Sequence, residues 1–267
     1  TTQAGHNTNQ RSLIIATAGH VDHGKSSLVN KITGTNTDTL REEKERGLSI
    51  NLGYAYYNLP ATENDVTSGY VIGFVDVPGH ADFINNMLAG VGTVDYALLV
   101  IAADDGIMPQ TREHLSILDL LGISKGVIAL TKTDKCNAQQ ITEVSGEITE
   151  LLSSTCLKKA PIFPVSSLTG EGLDTLLEFL QNTLRETKSD EALQQNHNPR
   201  FLIDRSFSVK GIGTVVTGSL RSGKLHVGDS MLHSGTRQKT KIRGLRQDTL
   251  NIKDALAGQR AAANIGN

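Results

Sequence analysis

Residues 13–27, reading LIIATAGHVDHGKSS, fix the first piece of architecture. The apolar run Leu13-Ile14-Ile15-Ala16, with Ala18 beyond it, suits a strand covered on both faces. Gly19-His20-Val21-Asp22-His23-Gly24-Lys25-Ser26 follows with the spacing G-x-x-x-x-G-K-S, and Leu28, Val29 and Ile32 then recur at helical intervals. Strand, glycine-bounded loop and helix in that order predict a phosphate-binding loop built from residues 19–26 and Ser27. Gly19 and Gly24 allow a tight turn with its N–H groups pointing inward. Those amides and the start of the next helix attract a β-phosphate. Lys25 supplies a charge near the β- and γ-phosphates, and Ser26 a hydroxyl for Mg²⁺. The bland alternative is a glycine-rich turn with an incidental lysine, which the flanking strand and helix argue against.

Downstream, the texture alternates. Residues 34–50, GTNTDTLREEKERGLSI, are polar and charged and are expected to form a loop beside the phosphates. Residues 51–59 alternate as a strand, 60–69 are a polar turn-rich loop, and 70–75 form a second strand, so the pair predicts a hairpin. That strand runs into Asp76-Val77-Pro78-Gly79-His80, where an acidic residue at a strand end can join a Mg²⁺ shell. A buried strand at 97–103, a helix at 111–121, a strand at 126–131 and a helix carrying Ile141, Val144, Ile148, Leu151 and Leu152 come next. A strand at 161–165 and a helix carrying Leu173, Leu176, Leu177, Leu180 and Leu184 close the series. This order predicts a doubly wound, mostly parallel α/β sheet with one hairpin, and ligand sites at the carboxyl ends of its strands. Thr131-Lys132-Thr133-Asp134 and Ser166-Ser167-Leu168-Thr169-Gly170 stand at two such ends.

Expected boundaries are a disordered tail at 1–11, the α/β domain at 12–185, a linker at 186–198 and a small β-barrel at 199–267 that ends near its final strand. The barrel reading rests on short strands with glycines at 211, 213 and 218. K-G-I-G-T-V matches part of a dinucleotide fingerprint, but it lacks the third glycine and no helix follows. Arg237, Lys239, Lys241, Arg243 and Arg246 cluster in the barrel and are read as a solvated strand edge. A formal net charge of −2 gives no global basic field, so RNA contact would need a local patch. Cys136 and Cys156, the two cysteines, argue against a disulfide scaffold and fit a reducing cytoplasm. No apolar run is long enough to span a bilayer.

Four motifs in order, GHVDHGKS, DVPGH, TKTD and SSLTG, resemble the GTPase domain of elongation factor Tu-like translation factors, and the barrel resembles their second domain. The short segment between Gly34 and Arg46, with INLGYAYYNLP, NNMLAGVGTVDYALLVIAADDGIMPQTREHL, IDRSFSVKGIGTVVTG and AGQR, resembles the selenocysteine-specific elongation factors among them.

The resemblance implies GTP and GDP as ligands with Mg²⁺ held by Ser26, Ser49 and Asp76. It implies an apolar gate of Val21 and Leu48 beside a catalytic His80, and Gly79 at the phosphates. Guanine would be read by Thr131, Lys132 and Asp134, with Ser166, Ser167 and Leu168 supporting it. Thr131 stands where the family carries Asn, and Ser26 and Ser49 stand where it carries Thr. Hydrolysis is expected by in-line water attack, slow alone and stimulated by the ribosome, with residues 34–50 and 76–90 ordered by the γ-phosphate. Asp204, Arg205 and Arg260 would line an aminoacyl pocket whose cations favour a selenolate over a serine hydroxyl. Residues alone favour a surface pair of Asp204 and Arg205. The implied partners of this monomer are selenocysteinyl-tRNA, the ribosome and, through the further C-terminal domains of such factors, an mRNA element. Rival expectations are a carrier of ordinary or initiator aminoacyl-tRNA and a nucleotide-gated binding module.

Overall fold

The computed structural model describes residues 11–38, 49, 51–59, 70–79, 94, 96–186, 197–247 and 250–266. The chain divides into two compact units: Ile14–Tyr57 with Ile72–Thr183, and Leu184–Asn267 with Thr1–Leu13 and Asn58–Val71.

From Arg11 to Glu186 the chain alternates strands and helices. Its elements are β1 (Arg11–Ala18), α1 (Lys25–Thr33), β2 (Gly53–Leu59), β3 (Tyr70–Asp76), β4 (Tyr96–Ala102), α2 (Pro109–Leu120), β5 (Gly126–Thr131), α3 (Ala138–Leu152), β6 (Ile162–Pro164) and α4 (Leu173–Glu186). The six strands form one sheet in the order β2-β3-β1-β4-β5-β6. β1, β4, β5 and β6 pair in parallel. β3, β4 and β5 are buried at every position, as their unbroken apolar runs require of strands covered on both faces. Because β1, β4, β5 and β6 run the same way, Gly19, Asp104, Lys132 and Ser166 follow the same end of the sheet.

Two helix starts precede the apolar periodicity, for local reasons. α2 begins at Pro109, whose ring fits the first helical turn where no intrahelical N–H bond is needed. α3 begins at Ala138 because Asn137 caps it: the Gln140 amide donates to Asn137 Oδ1 at 2.9 Å, and Gln140 Oε1 accepts from the Asn137 amide at 3.0 Å.

Beyond the helices, the remaining strands are β7 (Arg200–Val209), β8 (Gly213–Ser222), β9 (Lys224–His226), β10 (Ser230–Leu232), β11 (Lys239–Gln247), β12 (Leu250–Ile252), β13 (Asp254–Leu256) and β14 (Arg260–Gly266). They pair in the order β10-β11-β14-β8-β7, with β12 also on β11, and β9 pairs with β13. These pairings are antiparallel, and they enclose the core of the barrel: Val216, Leu220, Leu225, Ile242, Leu245, Ala255, Ala261 and Ala263. β11 lies between β10 and β14, which corrects the reading of its cations as an edge.

Candidate nucleotide site

The loop from β1 to α1 departs from ordinary backbone where the sequence permits. Gly19 has φ 131°, and a β-carbon there would stand 2.1 Å from the Val100 carbonyl oxygen of β4, so only glycine fits. Asp22 also takes a left-handed φ of 61°. Gly24 caps α1 in the left-handed region; no side chain caps this helix, and its first turn holds no acidic residue. The helix therefore presents its first amides and the positive end of its dipole outward, as an anion site requires.

Lys25 is buried. Its ammonium donates to the carbonyls of Gly19 at 3.1 Å and His20 at 2.7 Å. Burial pushes its pKa down to about 8, against the pull of Asp76, Asp22 and Asp38. Gly79 lies against this loop: a β-carbon there would meet Val21 N at 2.7 Å and Lys25 Nζ at 2.4 Å. The DVPG turn thus touches the loop with bare backbone.

Asp76 ends β3 with its carboxylate fully buried among hydroxyls. Thr17 Oγ1 donates to Oδ1 at 2.9 Å and Thr37 Oγ1 to Oδ2 at 2.6 Å. Burial raises its pKa; the Thr37, Ser26 and Thr17 hydroxyls oppose that. Ser26 and Ser49 hold their hydroxyl oxygens 2.8 Å apart, and Ser49 donates to Asp38 Oδ1 at 2.6 Å. Hydroxyl and carboxylate oxygens of this kind, with no imidazole or thiolate among them, fit Mg²⁺ completed by phosphate oxygens. No cluster of three or more His, Cys, Asp or Glu that could hold a metal occurs among the described residues.

Two props come from α2, and the sequence carries no sign of either. The Gly19 amide donates to His114 Nδ1 at 2.9 Å, and the Val21 amide to Gln110 Oε1 at 3.1 Å. Residues 110 and 114 are one helical turn apart and share a face. Burial, with Lys25 and His20 nearby, lowers the His114 pKa to about 3, so the ring stays neutral and can accept. His23 is buried too. Its ring stands edge-on to His20 with centroids 5.0 Å apart, and burial, then His20, lower its pKa to about 4.

The base end is assembled from β4, β5 and β6. Thr131 is buried, and its hydroxyl donates to the His23 carbonyl at 2.6 Å, tying the end of β5 to the phosphate loop. Lys132 takes a left-handed φ of 56° and reaches Asp105 at 3.2 Å and Asp104 at 3.4 Å. Asp134 accepts from Ser166 Oγ at 2.5 Å, which joins the two loops. Ser167 Oγ is buried with no hydrogen-bond partner among the described residues, and Leu168 is exposed. Val21 is half-buried in the phosphate loop, against Gly79; its expected gate partner Leu48 and the expected catalytic His80 lie outside the described residues.

In the barrel, Asp204 and Arg260 come together. Both side chains are buried, Arg260 Nη1 bonds Asp204 Oδ2, and Nη2 donates to Oδ1 at 3.0 Å. Thr217 Oγ1 adds a bond to Oδ1 at 2.8 Å. Arg205 is the next residue along β7, half-buried.

A phosphate loop under an anion-ready helix, a hydroxyl-lined carboxylate and two joined loops at the neighbouring strand ends have the arrangement of a P-loop nucleotide-binding domain. Residues 10–186 match the family model described as elongation factor Tu GTP binding domain. A selenocysteine-specific elongation factor of Escherichia coli (strain K12) is 47% identical over 253 residues, covering 95% of this chain and 39% of that protein. A translation initiation factor 2 subunit gamma of Methanococcus vannielii is 38% identical over 290 residues, covering 94% of this chain and 70% of that one. Among solved structures, a bacterial selenocysteine-specific elongation factor superposes with TM-score 0.86 at 36% identity, over 96% of this chain and 42% of that one. The elongation factor SelB from Methanococcus maripaludis, in complex with the GTP analogue GppNHp, gives TM-score 0.80 at 30% identity over 97% of this chain and 52% of that one. The chain belongs to the elongation factor Tu GTP-binding family, and its sequence is similar to the selenocysteine-specific factors over both its domains. It spans about two fifths of the length of the selenocysteine-specific relatives it matches. No helix among the described residues is long and apolar enough to cross a membrane.

Proposed function

We propose that this chain is the GTP-hydrolysing and aminoacyl-binding part of a cytoplasmic translation factor that brings selenocysteinyl-tRNA to the ribosome. The observation that carries the reading is the meeting of Ser26 and Ser49 hydroxyls 2.8 Å apart beside the buried Asp76. Ser49 belongs to the polar loop and Ser26 to the phosphate loop, so a ligand gripped by one is felt by the other. Mg²⁺ held by Ser26, Ser49 and Asp76 would neutralise charge on the β- and γ-phosphates.

The chain's own groups take the remaining roles. Lys25 exchanges its loop carbonyls for phosphate oxygens. Gly79 approaches the γ-phosphate with its backbone. Asp134 accepts from the guanine N1–H and 2-amino group, which excludes adenine, while Lys132, Ser166, Ser167 and Leu168 flank the base and Thr131 holds the His23 carbonyl. By family resemblance, His80 orients the attacking water, with Val21 and Leu48 screening it; hydrolysis is slow until the ribosome aligns that histidine. In the barrel, taken as residues 199–267, family resemblance assigns Asp204, Arg205 and Arg260 to the aminoacyl pocket, and the Asp204–Arg260 contact supports the assignment. A selenolate there is an anion, which a guanidinium favours over a neutral hydroxyl.

Binding of selenocysteinyl-, seryl- and initiator methionyl-tRNA with the GTP analogue bound tests this. Selenocysteinyl-tRNA should bind tightest. Equal affinity for the seryl form removes the pocket assignment, and a preference for the initiator tRNA favours the reading in which the initiation-factor similarity is the functional one.

A further inference from the structure

Between Leu13 and Ala18 every residue of β1 is apolar except Thr17, and Thr17 is fully buried. Valine would fill the same place with a similar shape and no polar atom to satisfy. A hydroxyl there costs free energy unless its hydrogen bonds are met. Thr17 makes two. The Val77 amide donates to its Oγ1 at 3.0 Å, and that oxygen donates to Asp76 Oδ1 at 2.9 Å.

The direction of these bonds matters. An amide nitrogen can only donate, so the Val77 N–H takes a lone pair of the hydroxyl and leaves the Thr17 proton for the carboxylate. One side chain thereby fixes two consecutive groups at the end of β3. The anchor itself is firm. β1 lies between β3 and β4 in the sheet, and Thr17 stands in parallel register with Leu98 of β4. Gly19 opens the phosphate loop two residues further on.

Asp76 has other hydroxyl partners, and they differ in kind. Thr37 Oγ1 donates to Oδ2 at 2.6 Å, and the Ser26 hydroxyl also bonds the carboxylate. Ser26 lies in the first turn of α1, where it meets Ser49, and Thr37 lies in the polar stretch that follows α1. In the proposed function Ser26 turns to Mg²⁺ and the γ-phosphate orders residues 34–50, so both of these bonds are open to exchange. Thr17 belongs to the sheet, and its bond stays.

We propose that Thr17 is a positioning residue for GTP hydrolysis: it grips the Asp76 carboxylate by Oδ1 and leaves Oδ2 turned toward the polar loop that carries Ser49. Thr17 touches neither nucleotide nor metal and acts through Asp76. The inference rests on the assignment of Asp76 to the Mg²⁺ shell and adds the residue that gives this carboxylate a single orientation. Removing a group that orients a metal-binding side chain typically weakens metal affinity by about 10- to 100-fold.

The test is the release of a fluorescent GDP analogue from the 267-residue chain, measured over a series of free Mg²⁺ concentrations and in EDTA. In Thr17→Val the Mg²⁺ concentration that half-slows release should rise by about 10-fold or more, while the rate in EDTA should match wild type. Thr17→Ser keeps the hydroxyl and should restore the wild-type response to Mg²⁺. A threonine that only fills the core predicts another pattern: release faster by one factor with and without Mg²⁺, and the same half-effective Mg²⁺ concentration. That pattern overturns the inference, and so does a serine variant that behaves like the valine one. If Thr17→Val does not fold, Thr17→Cys, with a weak S–H donor, is compared with Thr17→Ser. The cysteine variant should need more Mg²⁺ than the serine variant, and equal requirements overturn the inference. Wild-type release that ignores Mg²⁺ would remove Asp76 from the metal shell and Thr17 with it. Wild-type release that responds to Mg²⁺, with an unaltered requirement in Thr17→Val, removes Thr17 alone and leaves the Mg²⁺ reading standing.

Discussion

Among the described residues, two sets of opposite charges are buried, and they are satisfied in different ways. In the barrel, Arg260 and Asp204 satisfy each other through two parallel bonds, with Thr217 filling a remaining lone pair. At the nucleotide site, Lys25 rests on two carbonyls and Asp76 on hydroxyls, so each charge is met by dipoles. A self-paired couple can stand empty indefinitely. Charges cushioned by dipoles are held out of water for a ligand that brings a better counter-charge. The difference separates charges held for a ligand's counter-charge from a pair that is complete before any ligand arrives.

The largest effect is expected where a pair is broken outright. Asp204→Ala leaves Arg260 buried and without its carboxylate, which should cost about 3 to 5 kcal/mol in denaturant unfolding of the barrel transition. A loss below about 1 kcal/mol would mean that Arg260 is held by other groups or by solvent, and the contrast between the two sites would dissolve.

Lys25→Met inverts the pattern. Nucleotide affinity should fall at least about 100-fold, the scale of removing a charge-assisted hydrogen bond, while the empty protein holds or gains stability. The sign follows from linkage. Burial lowers the folded pKa to about 8 from 10.5, so between those values the unfolded chain binds the extra proton and stability rises with pH. The cost of the buried ammonium is full below pH 8 and gone by 10.5. Any lead of Lys25→Met over wild type should therefore shrink across that window, by roughly 3 kcal/mol at most. A lead that is flat with pH would show the ammonium to be solvated.

His114→Ala should act more gently, weakening GDP binding about tenfold by freeing the Gly19 amide that His114 holds. His114 and His23 both have lowered pKa values, about 3 and about 4, so their contribution is present above 6.5 and is lost as the pH falls toward those values. The variant should thus also lose part of the acid sensitivity of the empty protein below pH 6.5. GDP dissociation rates and acid titration of unfolding check the two halves separately.

These residues also mark where the sequence can and cannot be read. Gly19, Gly24, Lys25 and Ser26 are legible because a phosphate loop is local: the spacing within one turn is the chemistry. Asp76, Asp134 and Ser166 are legible because strand ends in a parallel sheet converge wherever the helices between them fold. Gln110 and His114 are not, since PQTREHL reads only as a helix start, and its contact with a loop some 90 residues earlier is set by packing. Thr37 and Asp38 are hidden in the same way, inside a polar stretch without period. The pairing of Asp204 with Arg260 lies beyond reach because β7 and β14 are both partners of β8, an order that alternation alone does not specify.

Thr131 sharpens that lesson with the smallest effect on nucleotide binding. By resemblance the family carries Asn there, whose amide would contact guanine. The structure gives its hydroxyl another task, donation to the buried His23 carbonyl at 2.6 Å and to the Ile101 carbonyl at 3.3 Å. Thr131→Val keeps shape and removes only the donor, so it should cost about 1 to 3 kcal/mol of stability. GTP affinity should drop less than tenfold, because in the proposed reading Asp134 still accepts from the base. If the valine variant instead keeps full stability and loses guanine preference in competition with xanthine nucleotides, then Thr131 touches the base itself. The bridge to His23 would then be incidental.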